Sequence, residues 1–283
     1  MRWLGIMVLV LALPGVALAG ATSAFASRTD APAEVHAWVL SAPPRGSKQA
    51  QTAVFAPIAR FLASVSGHPV SYQYPGSWLN YSREMTLGKY DLVFDGPHFT
   101  GWRDHHLGYI PLVRFPAPLI FALVERAGEH FERIHQLIGR PVCANSPPYL
   151  GTLILLHKFP NPVEQPALVI IHGWLVAYRD LMAHQCAAAV LPVPNLRKLE
   201  HGVHTAHIMY RFRPYPNQAI SASPHIPQAV QARMRQALLS PAGRAVTRTL
   251  RAIFVSKPFV AANRADYKGL SDLLNNTLYF GYD

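Results

Sequence analysis

Asp95, Gly96 and His98 stand in the stretch YDLVFDGPHFTGWR, Tyr90 to Arg103, where a buried apolar run ends abruptly in a polar turn. A carboxylate, an unhindered backbone and an imidazole delivered together can hydrogen-bond a small polar ligand or move a proton. Strand C-termini in open α/β sheets are where ligands bind. No G-x-S-x-G elbow, Walker loop or H-E-x-x-H motif accompanies the turn, and nothing orders Asp95, His98 and Ser146 as nucleophile and base. The reading is therefore binding, not catalysis, and the chain is expected not to be an enzyme.

Histidine and cysteine offer two further chemistries. HGVHTAH brings together His201, His204 and His207, and His105 and His106 are adjacent elsewhere. Three-residue spacing suits one helical face, but Gly202 and Thr205 spoil a helix, and in a strand His201 and His204 would face opposite ways. No metal and no cofactor are expected, with metal binding through these histidines as an alternative function. Cys143 and Cys186 are an even pair, each at the start of an apolar strand-like run, PVCAN and QCAAAVLP. In an oxidising compartment they predict a disulfide if those strands are neighbours; no Cys-x-x-Cys pair suggests redox chemistry.

The compartment is read from the first residues. Arg2 precedes an apolar run from Trp3 to Leu13 and then small residues, with cleavage after Ala19 or Ala26. The run is short against the roughly 20 residues of a membrane span, so residues 1–26 read as a signal peptide and the mature chain as secreted and periplasmic. The rest is long enough for two domains. Half of all residues are hydrophobic and only 14% charged, which argues for a folded protein rather than disorder. The net charge of +11 favours anionic ligands, but Lys and Arg are scattered without a clustered stripe, and no nucleic-acid partner is expected.

Strand and helix signals alternate, the pattern of an α/β protein. Strands are predicted at Val35–Leu40, Val70–Tyr74, Leu92–Phe94, Pro141–Cys143, Leu168–Ile171 and Ala187–Leu191. Helices are predicted at Lys48–Ser66, Ser77–Leu87, Glu129–Ile138, from Thr152 to His157, at Trp174–Ala183, Pro227–Leu239 and Ser240–Ile253, and near Tyr267–Asn275. Pro111–Val124 is an apolar segment of no assigned type.

Six pieces in order resemble one known family, the periplasmic solute-binding proteins of the phosphate, phosphite and phosphonate ABC-transporter type. They are VLSAPPRG (39–46), YDLVFDGPHF (90–99), LIGRPVCANSPPY (137–149), IHGWLVAYRDLMAHQCAAAVLP (171–192), PNQAISASPHIP (216–227) and FVAANRADYKGLSDLL (259–274). The resemblance implies a type 2 periplasmic binding protein fold: two α/β lobes joined by a two-stranded hinge around an inter-lobe cleft. The first lobe would comprise residues 34–122 plus 205–283 and the second 123–204. It also implies a monomer that captures a small oxyanion and delivers it to an ABC transporter permease, or alternatively presents it to a membrane sensor kinase.

In such a cleft the first lobe offers Ser41 and Arg45 after the first strand and Asp95, Gly96 and His98 after the third. Arg45 can pair bidentately with an oxyanion. The second lobe offers Ser146, Tyr149 and Thr152 where a strand gives way to a helix, whose free N–H groups favour an anion. By resemblance a Ser/Thr-rich stretch here holds the oxyanion, though Pro147 and Pro148 replace part of it and remove two N–H donors. His172 matches a position where relatives often carry a cleft histidine. Relatives that bind an amino group often have an acid where this chain has Ala187, so its absence argues against an aminophosphonate.

Overall fold

Strands and helices alternate as the apolar periodicity requires in a computed structural model that describes residues 36–275 apart from 201 and 203, together with 277 and 280. The signal segment 1–26 and His201 lie outside the described residues. The order is β1 (Trp38–Ser41), α1 (Lys48–Ser66), β2 (Val70–Tyr72), α2 (Trp78–Thr86), β3 (Leu92–Asp95), α3 (Pro97–Leu107), β4 (Ile110–Arg114) and β5 (Phe121–Arg126). Then come β6 (Pro141–Asn145), α4 (Leu150–Leu156), β7 (Ala167–Ile171), α5 (Trp174–Met182), β8 (Ala188–Pro192), α6 (Val193–Leu199) and β9 (Ala206–Arg211). The chain finishes with β10 (Ala219–Ala222), α7 (Gln228–Leu239), α8 (Pro241–Val246), α9 (Arg248–Ile253) and β11 (Val260–Ala261).

These strands make two mixed sheets. The first runs β2-β1-β3-β10-β4-β11, with β1 parallel to β2 and β3, and β10 inserted antiparallel between β3 and β4. The second runs β7-β6-β8-β5-β9, with β6 parallel to β7 and β8, and β5 antiparallel to β8 and β9. Fully buried strands such as Leu92-Val93-Phe94 follow from helices covering both faces. On one face of the first sheet α1 buries Val54, Ile58 and Leu62 against Leu40 and Phe94. The Ser47 hydroxyl caps α1 by accepting from the Ala50 amide, and Gly67 at φ 73° ends it. Truncating Leu62 to Ala would cost on the order of 2–5 kcal/mol.

Two extended segments, 115–120 and 212–218, connect the sheets and pair with each other. Leu119 and Tyr215 exchange both backbone hydrogen bonds at 2.9 Å, and the Phe115 amide donates to the Gln218 carbonyl at 3.0 Å. This is a two-stranded link of the kind a hinge requires.

The Cys143 and Cys186 sulfurs are bonded, with α-carbons 5.7 Å apart. The bridge forms because β6 and β8 are parallel neighbours and both sulfurs are buried. It closes a loop of 43 residues within the second sheet. Among the described residues, no helix is long and apolar enough to cross a membrane.

The structure differs from the sequence reading in several places. Residues 129–138 form no α-helix, only a 3-10 turn at Ile134–Leu137, because the loop folds back so that the Phe131 amide can donate to Glu125 Oε2. The segment 111–124 supplies the ends of two strands, β4 and β5, broken by Pro116 and Pro118. Residues 267–275 form no α-helix, only a 3-10 turn at Ser271–Leu274 that follows another at Arg264–Tyr267. β9 pairs with β5 in the second sheet, although a lobe boundary at 204/205 assigns it to the first lobe.

Candidate functional site

A cavity of about 370 Å³ opens where the connecting segments meet the ends of β3, β5 and β8. Its size is that of a small-solute pocket. Walls come from both sheets: Gly96, Pro97 and His98 from the turn after β3, Tyr149 and Leu150 at the start of α4, Phe121 at the start of β5 and Pro192 at the end of β8. Among the described residues, no Asp or Glu lines it.

Arg45 leads the charged groups. It follows β1 and has no acidic partner within ion-pair distance among the described residues. Its guanidinium lies 5.8 Å from the ring centroids of both Trp78 and Phe254, so two aromatic faces hold it at the cavity wall. Desolvation by the walls lowers its pKa, while Tyr149, Asp95 and Tyr81 oppose that effect. The residue is solvent-exposed in the open cavity, so water moderates the desolvation and the group stays cationic. Lys198 of α6 adds a second cation to the lining.

His98 is the second key group, buried at 3% exposure. Its Nε2 lies 3.0 Å from the Pro148 carbonyl oxygen. A carbonyl only accepts, so Nε2 carries the proton and Nδ1 presents a lone pair, which has no hydrogen-bond partner among the described residues. Desolvation, reinforced by Arg45 and opposed by the Pro148 bond, pushes the pKa down to about 3, so the ring is neutral. Gly96 makes room for this ring. A β-carbon there would stand 3.1 Å from His98 Cε1, 3.4 Å from Nδ1 and 3.8 Å from Arg45 Nη2. The imidazole lone pair and the guanidinium thus converge on one point above Gly96.

Tyr149 borders the cavity edge-on to Trp174 at 4.9 Å, and desolvation pushes its hydroxyl up to about 12, so it remains a neutral donor. Of the sequence candidates, the structure brings Arg45, Gly96, His98 and Tyr149 together at the cavity.

The other five do not line it. Asp95 points into the core, where it pairs with Arg103 Nε at 2.8 Å and accepts from the Tyr81 hydroxyl. Its carboxylate is fully engaged there. Burial alone lowers the Arg103 pKa, and Tyr81, Asp95 and Tyr109 more than reverse that. Ser41 donates to the Gln73 carbonyl, Thr152 to the Asn145 carbonyl and Ser146 to the Pro147 carbonyl, so all three hydroxyls satisfy local backbone. His172 is exposed after the edge strand β7. Ala187 precedes β8, whose other end, Pro192, meets the cavity about 17 Å along the strand. Ala187 therefore lies away from the cavity lining.

Sequence reasoning missed Trp78, Trp174, Phe254, Lys198 and Gln218, which join the lining from separate elements. Gln218 Oε1 is buried without a hydrogen-bond partner among the described residues, a second waiting acceptor. Its position at the link between the sheets was the available signal, since Asn217-Gln218 directly precedes β10.

Residues 40–267 match the family model described as ABC transporter, phosphonate, periplasmic substrate-binding protein. The chain belongs to this family. The fold comparisons agree with the two-sheet architecture. A protein of Xanthomonas citri solved with ATP bound is similar with a TM-score of 0.68 at 14% identity, over 84% of this chain and 96% of that one. PhnD1 from Prochlorococcus marinus in complex with methylphosphonate gives a TM-score of 0.63 at 10% identity, over 84% and 97%. A binding-protein component of an ABC phosphonate transporter from Pseudomonas aeruginosa gives 0.56 at 11%, over 80% and 81%. No curated protein matches the chain. The architecture is that of a type 2 periplasmic binding protein, and the phosphonate-binding family is one of non-catalytic, periplasmic substrate-binding proteins.

Proposed function

We propose that the cavity captures a small phosphonate-class oxyanion carrying an organic substituent, and that the secreted protein, as a monomer, delivers it to an ABC transporter permease. The observation that carries this reading is Arg45: a cation without an acidic partner, held by two aromatic rings at the wall of an acid-free cavity. An anion supplies the missing charge and accepts the guanidinium fork.

Two further features narrow the solute. His98 Nδ1 and Gln218 Oε1 are acceptors, so a ligand needs a donor of its own, which a singly protonated phosphonate has in its P–OH group. Trp78, Phe121, Trp174 and Phe254 give the cavity an apolar side that inorganic phosphate would leave unused. Pro147 and Pro148 also remove amide donors that a fully charged, desolvated phosphate would need. Lobes 34–122 plus 205–283 and 123–204, adjusted so that β9 stays with the second sheet, would close on the solute about the paired segments 115–120 and 212–218.

A thermal-shift panel on the purified mature protein tests this, because a ligand that binds only the folded state raises Tm. Methylphosphonate and ethylphosphonate are expected to raise Tm in proportion to log concentration, with phosphate and phosphite weaker. A larger shift with an amino acid or a sugar would overturn the assignment.

A further inference from the structure

The geometry points to a second, separate site: Glu125, His130 and His207 form a three-ligand centre for one zinc-class divalent cation at the edge of the second sheet. One ligand atom from each lies within 4.8 Å of the other two. The three come from different segments, β5, the loop after it and β9, and Glu125 and His207 are directly paired across the two strands.

Glu125 is the unusual member. It is fully buried, and a buried carboxylate needs a compensating charge or hydrogen bonds. Its Oε2 accepts from the Phe131 amide at 3.0 Å, which orients the group. Its Oε1 accepts no hydrogen bond among the described residues, although His207 Nε2 stands 2.5 Å away. The two atoms stand at ion-pair distance, so a protonated His207 can pair with Glu125 when no cation is present. The same backbone hydrogen bond that holds Oε2 folds the loop back and carries the neighbouring His130 over the pair, its ring 6.4 Å from that of His207 and stacked on it. A carboxylate oriented through one oxygen, with its other oxygen facing the imidazoles, is the arrangement of a metal ligand held by its outer contacts.

Two imidazoles and one carboxylate suit zinc, with a fourth position left for water or a further ligand. Four-coordinate zinc with ligand bonds near 2.0–2.1 Å sets ligand atoms about 3.3 Å apart. His207 is 42% exposed in its side chain and His130 is exposed, so both rings can turn by the ångström or so required. The site lies about 14 Å along β5 from Phe121 at the cavity, which separates it from the solute. A cation here would pin the edge strand β9 and the covering loop to β5.

Calorimetric titration of ZnCl2 into the metal-stripped mature protein tests the site, with Co2+ absorption as a second readout of ligand geometry. One ion per chain is expected, with a rise in Tm, and at least a tenfold loss of affinity in His130→Ala and in Glu125→Gln. His130→Ala alters an exposed loop residue and keeps the test valid should the buried Glu125→Gln variant fold poorly. A His105→Ala/His106→Ala variant should bind as the unaltered chain does. Absence of stoichiometric binding, undiminished binding in His130→Ala, or dependence on His105 and His106 instead would overturn the proposal.

Discussion

His98 Nε2 donates to the Pro148 carbonyl oxygen at 3.0 Å, tying the turn after β3 in the first sheet to the β6–α4 loop of the second. This bond sets the tautomer, leaving the Nδ1 lone pair beside Arg45 above Gly96. His98→Ala should weaken phosphonate binding by roughly tenfold, the scale of about 1.4 kcal/mol for one polar contact to a charged ligand. His98→Gln, which can retain the donor to Pro148, should lose less. Fluorescence or calorimetric titration of both variants checks the order.

The same histidine makes stability depend on pH. Its folded pKa is about 3 and its ordinary value 6.5, so between these the unfolded chain takes up a proton that the folded chain refuses. Stability from this group is complete above about pH 6.5 and is lost as the pH falls toward 3. In urea unfolding at pH 7 and pH 4.5, His98→Gln should show a shallower loss than the unaltered chain, by on the order of a few kcal/mol. Equal slopes would contradict the buried, neutral ring.

Asp95 should matter for folding and little for binding. Removing its carboxylate leaves Arg103, fully buried, without its ion-pair partner. Asp95→Ala should cost about 3–5 kcal/mol in chemical denaturation. Ligand affinity of the folded fraction should stay within about threefold, since Asp95 does not line the cavity.

The disulfide makes a comparable prediction in the second sheet. A closed loop of 43 residues corresponds to about 4 kcal/mol in the chain-entropy estimate. Replacing Cys143 and Cys186 together with Ser should lower stability by about 2–5 kcal/mol in denaturant unfolding, while phosphonate affinity is retained.

Much of the scaffold was legible because local pattern and tertiary burial agree. The Ser47 cap, the Val54, Ile58 and Leu62 stripe and Gly67 delimit α1 as the helix Lys48–Ser66. Leu92 to Phe94 reads as a strand and is one. The failures have physical causes. Phe131, Ile134 and Leu137 have helical spacing, yet one 3-10 turn satisfies it once Glu125 captures the Phe131 amide. β10 is a four-residue Ala-Ile-Ser-Ala segment whose partners, β3 and β4, lie over a hundred residues earlier, so no local signal marks it. At the cavity, residue type singled out Arg45 and His98 as candidates, and both line it, but it could not tell that Asp95 turns inward to Arg103 eight residues later. Nor could it bring Trp78, Trp174, Lys198 and Phe254 from four elements to one cavity.

The central claim is that Arg45 is the cation that holds the ligand's oxyanion. Titrating methylphosphonate calorimetrically into the mature protein and into its Arg45→Met variant tests it most directly. We predict one site per chain, at least a tenfold loss of affinity in Arg45→Met, and an unliganded Tm within a few degrees of the unaltered chain, because Arg45 makes no ion pair among the described residues. Equal affinities in the two proteins, or no phosphonate binding by the unaltered chain, would contradict the account.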